Sequence, residues 1–165
     1  MQKEQRRKRK QTPTYKQALL ASVKSVTASY YVQKNGDGVS DEAITEVRCD
    51  IVAMHPEIPK HLGKEVTCSL MCSRKYDLVD DPDEVPWPRI GKGQTVSEMP
   101  FLLDMRLSKE GGLFSAYLRE AAYWALQVDL KSGRSKFIKA TFIKTRRGGG
   151  DLISLSFSET PPEQS

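Results

Sequence analysis

Apolar and polar residues alternate with a period of two through much of the chain. Val26, Ala28, Tyr30 and Val32 share one face of a run whose other face carries Thr27, Ser29 and Tyr31, the pattern of a half-buried strand. Three more runs repeat it: Val47, Cys49, Ile51 and Ala53; Val66, Cys68, Leu70 and Cys72; and Phe101, Leu103, Met105 and Leu107. A last pair, with Ile138, Ala140 and Phe142 on one strand and Ile153, Leu155 and Phe157 on the next, reads as a hairpin with six core positions. The Asn-Gly and Asp-Gly steps in QKNGDGVSDE predict a reversal after the first strand.

Two stretches break this period. Thr12-Pro13 followed by YKQALLAS reads as a capped helix start and two helical turns. LREAAYWALQ, from Leu118 to Gln127, reads as a helix with Leu118, Ala122, Ala125 and Leu126 on its apolar side. Six to seven strands with one or two short helices predict a mainly β fold, an antiparallel sandwich or partly open barrel. Residues 12–158 are expected to form a single β-rich domain, between a disordered arm at 1–11 and a disordered tail at 159–165.

Length and composition fit that picture. The chain has 165 residues, long enough to bury a core without a disulfide or metal staple. It has no apolar run of membrane-spanning length and no apolar stretch behind its charged N-terminus, so a cytoplasmic location without membrane contact is expected. The three cysteines are then expected to be free thiols.

Charge distribution changes the picture more than total charge. The net charge is +5, and the first ten residues alone carry that much, leaving the rest balanced. Within the rest, residues 131–150 hold seven bases and no acid, whereas DLVDDPDE at 77–84 holds five acids and no base. The TRRGGG stretch after Lys144 joins two strands. Glycines there either serve only the turn, or leave backbone amides open to a phosphate that arginine grips bidentately. A flexible basic arm and a basic hairpin together favour a non-enzymatic nucleic-acid-binding domain that contacts phosphates. Its expected contacts are Arg6, Arg7, Lys8, Arg9 and Lys10 in the arm, and Lys136, Lys139, Lys144, Arg146 and Arg147 in the hairpin. The acidic segment would then compete with phosphate for this surface. The alternative is a protein-interaction or assembly subunit whose basic arm meets an acidic partner and whose β-edge recruits another chain, including a second copy of itself.

Other chemistry finds less support. His55, His61, Cys68 and Cys72 superficially suggest a zinc site. On one strand, however, Cys68 and Cys72 stand about 13 Å apart at ~3.3 Å per residue, too far for a shared zinc or a disulfide. RIGKGQT lacks both the first glycine and the Ser/Thr of a phosphate loop, and no serine sits in a nucleophile elbow. No metal, cofactor or catalytic group is expected. Trp87, between two prolines, reads as a loop anchor packed on the core, with base stacking as the rival role.

Overall fold

A computed structural model describes residues 16–35, 38–73, 101–144 and 149–162. The basic arm, the Thr12-Pro13 helix start, the acidic segment, Trp87, Arg146, Arg147 and the last residues of the tail lie outside these. Seven strands are described: β1 (Lys16–Asn35), β2 (Gly38–His55), β3 (Glu65–Ser73), β4 (Phe101–Leu107), β5 (Gly112–Tyr117), β6 (Phe137–Lys144) and β7 (Gly149–Ser158). They close a barrel in the order β1-β2-β3-β5-β4-β7-β6. The fold is therefore mainly β, as the alternation predicts, with one α-helix, α1 (Glu120–Lys131), and a single 3-10 turn at Pro59–His61 among the described residues. Six neighbouring pairs are antiparallel, but β3 and β5 run parallel, a pairing that local alternation cannot signal.

Lys16–Ser22 is not helical. It is the first part of β1, paired on one side with β6 and on the other with β2. Its alanines and leucines favour a helix in isolation, yet Leu19 and Ala21 are needed inside the barrel, and tertiary pairing overrides the propensity. A bulge hides the period. Inward positions are odd-numbered up to Val23, the register shifts between Val23 and Ser25, and even-numbered Val26 and Ala28 then face the interior residues Val47 and Thr45. Val32, expected on a buried face, is 61% exposed where the hairpin outruns the barrel.

Bulges also correct two other expectations. In β2, Val47, Cys49 and Ile51 point inward, but Val52 is skipped in the pairing and Met54, rather than Ala53, returns to the core. In β7, the shift opposite Thr141 and Phe142 turns Ile153 outward, and Leu152 takes its place inside. Leu155 and Phe157 keep their expected face, opposite Ala140 and Ile138, and pack against the core.

The interior is filled by side chains from every strand, among them Leu19, Val47, Leu70, Met105, Phe114 and Phe142, all essentially inaccessible. Cys49, Cys68 and Cys72 form no disulfide and are buried, the last two inward on β3 with Leu70 between them. Burial pushes the Cys49 thiol up to about 12, and raises that of Cys68 as well. Since the thiolate is the reactive form, neither Cys49 nor Cys68 should react with an alkylating reagent at neutral pH in the folded protein, and both should react in denaturant. Mass spectrometry of the two samples checks this. Stoichiometric metal released on unfolding would overturn the picture of plain buried thiols.

Among the described residues, β6 pairs with β1 only as far as Ser22. α1 packs against β3 and borders the part of β1 that runs on without β6. Its face is only partly the one the sequence suggests: Leu118, just before the helix, and Leu126 pack against the core and Tyr123 and Leu130 are buried, but Ala122 and Ala125 are exposed. Tyr123, the largest of the fully buried side chains, reaches the barrel interior, where its hydroxyl lies 2.7 Å from Thr45 Oγ1. No helix among the described residues is long and apolar enough to cross a membrane.

Candidate nucleic-acid interface

The helix ends in a way that brings basic residues together. Gly133 follows it with φ +76°, a conformation that suits glycine just past a helix C-terminus. There Gly133 N donates to the Leu130 carbonyl and Arg134 N to that of Asp129. The chain is thereby turned back into β6. Lys136 is then fixed through its backbone: its N–H donates to Ser158 and its carbonyl accepts from Val23, each at 2.8 Å.

The turn leaves a groove of about 400 Å³ between the end of α1 and the β1 bulge, lined by Val23–Val26, Leu130, Lys131, Gly133, Ser135 and Lys136. Three lysines and no carboxylate side chain line it. Lys24, the residue skipped by the bulge, sits 3.3 Å from both Asp50 and Glu65, and the hydrogen bond it donates to Glu65 chiefly raises its pKa, so it stays charged. Among the described residues, Lys131 and Lys136 have no such partner, and both are exposed. Arg134 does have one, Asp129 at 3.5 Å.

The hairpin lysines expected to act together are separated. Lys136, just before β6, and Lys144, its last residue, are eight positions and about 26 Å apart along an extended strand. Lys139 lies between them on the outer face, opposite Leu20 and Ser156. Lys144 approaches the other mouth of the barrel, close enough to help lower the pKa of His61. Burial is the main cause of that depression, Lys60 and Lys64 add to it, and a hydrogen bond with the Ser108 backbone opposes it. His61 is thus held neutral, with Nδ1 buried and unpartnered among the described residues, as is Gln17 Oε1. His55 is exposed and Cys68 is inside the barrel, so the four residues with zinc-like spacing do not converge. Among the described residues, no three potential metal ligands do.

Of the expected contacts, the structure therefore places Lys136 in a groove beside Lys131, and adds Lys24 to its lining, where Asp50 and Glu65 engage it. Lys131 belongs to the acid-free run from 131 to 150, and Gly133 behind a helix is the signal in the sequence that the chain folds back there. Lys24 gives none, because its direction depends on the bulge. Near the hairpin tip, Gly150 has a packing reason to lack a side chain. A Cβ on Gly150 would lie 2.8 Å from the Ile143 carbonyl oxygen, so its lack of a side chain serves the pairing of β6 with β7.

No family model, curated protein or solved structure matches the chain.

Proposed function

We propose that this barrel is a non-enzymatic nucleic-acid-binding domain that holds the phosphate backbone, with its principal docking site in the groove between α1 and β1. The observation that carries the reading is the lysine-lined groove with no carboxylate side chain in its lining. Ammonium groups at a concave surface concentrate positive potential and attract a polyanion. Lys139, flanked on the outer face by the hydroxyls of Thr141, Ser154 and Ser156, would extend the contact along β6. Arg6–Lys10, Arg146 and Arg147 would add reach and association rate in this reading, and Lys144 would contribute only at the distant mouth.

The test is the double substitution Lys131→Ala with Lys136→Ala. Both side chains are exposed, so stability should change by only ~0.5 kcal/mol or less. Affinity for nucleic acid at low salt should fall, and the slope of log affinity against log salt should flatten by about 0.7–0.9 for each phosphate that the variant no longer neutralises. Unchanged affinity and slope would remove the groove from the interface. The assembly reading rests on a different observation, the exposure of Tyr30, Tyr31 and Val32 beyond the barrel. It requires the protein to run larger than a monomer on a sizing column free of nucleic acid.

A further inference from the structure

The seam between β1 and α1 has two chemically different ends. At one, the helix C-terminus meets Val23–Val26 in the lysine groove. At the other, Tyr30 and Trp124 line a second pocket of about 180 Å³, together with Asp41, Ala43, Cys72 and Glu120. Tyr30 is 57% exposed and Trp124 41%. Both rings are held in place. The Tyr30 hydroxyl donates to Asp41 Oδ2 at 2.6 Å, and Trp124 stands edge-on to Tyr123 with ring centroids 5.0 Å apart. The two ends are about 9 Å apart along the helix, from Trp124 to Leu130, at ~1.5 Å per residue.

From this juxtaposition, and resting on the nucleic-acid reading above, we infer that the seam is a single-strand site: phosphates sit on Lys131 and Lys136 while an unpaired base stacks at Tyr30 and Trp124. A flat, neutral ring is complementary to the aromatic walls, and a polyanion is complementary to the lysine groove. A nucleotide in a flexible strand offers both within one short reach. A duplex does not, because its bases are stacked on one another inside and only its phosphates face outward. Partly exposed aromatic rings within a nucleotide's reach of a basic groove are the arrangement that sequence-tolerant single-strand binders use.

The test uses the full chain and a labelled oligonucleotide about 15 nucleotides long, offered single-stranded and as the matching duplex. The single strand should bind at least about tenfold tighter. Trp124→Leu should weaken single-strand binding by about 5- to 150-fold with an unchanged salt slope, since stacking releases no counterions. Trp124→Phe, which keeps a ring, should retain most of the affinity. Should Trp124→Leu fail to fold by circular dichroism, Tyr30→Leu on the opposite wall makes the same distinction. Equal or tighter binding of the duplex, or leucine variants that bind like the parent, would overturn the stacking site while lysine-dependent binding kept the broader reading intact. Binding of neither form would overturn both.

Discussion

Tyr123→Ala is expected to lower the unfolding free energy by about 3–5 kcal/mol, the usual range for deleting a large buried ring. Tyr123 is 1% exposed and is the side chain by which α1 enters the barrel. Its loss removes ring packing and leaves Thr45, also buried, without its 2.7 Å partner. Tyr123→Phe isolates the second effect. It should cost about 1–3 kcal/mol, because a buried hydroxyl is left unsatisfied. Combining it with Thr45→Val should recover most of that loss, since an apolar pair of similar shape leaves no polar group stranded. Urea unfolding of the four proteins, followed by circular dichroism, provides the measurement. A Tyr123→Phe variant as stable as the parent would show that water replaces the missing hydroxyl. Because α1 forms one wall of both the lysine groove and the aromatic pocket, Tyr123→Ala should also weaken nucleic-acid binding, although Tyr123 itself lines neither.

Gly111→Ala should be nearly as damaging, for a steric reason. The turn from β4 to β5 is closed by Ser108, whose backbone N–H donates to the Gly111 carbonyl at 2.8 Å. It delivers β5 against β3 in the parallel pairing that begins at Val66 and Gly112. A Cβ at Gly111 would lie 2.6 Å from the backbone oxygen of Glu65, which cannot rotate away, and the φ of +157° is one that other residues rarely adopt. Overpacking of this kind costs about 1–3 kcal/mol, with backbone strain added. Gly63→Ala is the control. It has φ +73° but nothing within 4 Å of the new methyl, so only the conformational cost of about 1–2 kcal/mol applies. Equal melting temperatures for the two variants would mean that the β3–β5 contact relaxes freely.

Most strands are legible in the sequence because the barrel has a filled interior and a wet exterior, which enforces a period of two. Elements are hidden where that period is broken or overridden. Val52, Ile153 and Lys24 lie where bulges shift the phase, and the turned-over positions in β2 and β7 trace to two of them, whereas Val32 is exposed because the hairpin outruns the barrel. Lys16–Ser22 reads as a helix because its helical composition is local, whereas the β6 segment it pairs with lies about 120 positions away. The acid-free run signals a basic surface, and Lys136 lies on it. The grouping of Lys136 with Lys131 and Lys24, however, is made by the Gly133 turn and the β1 bulge together. Tyr30 and Trp124 are 94 positions apart, and nothing in the spacing of either announces the other.

That same distance between β1 and β6 has a consequence for how the protein is made. Leu19 waits for Ala140. At about 5–20 residues per second on the ribosome, roughly 6–24 s separate the emergence of the two strands. The β1–β2 hairpin needs only its own turn and can form early, yet one side of Leu19–Ser22 must stay without its strand neighbour for that whole interval. The nascent chain is thus longest exposed to wrong partners along the strand that ends by sealing the barrel, and slowed translation between residues 55 and 137 should raise the yield of aggregate rather than of folded protein.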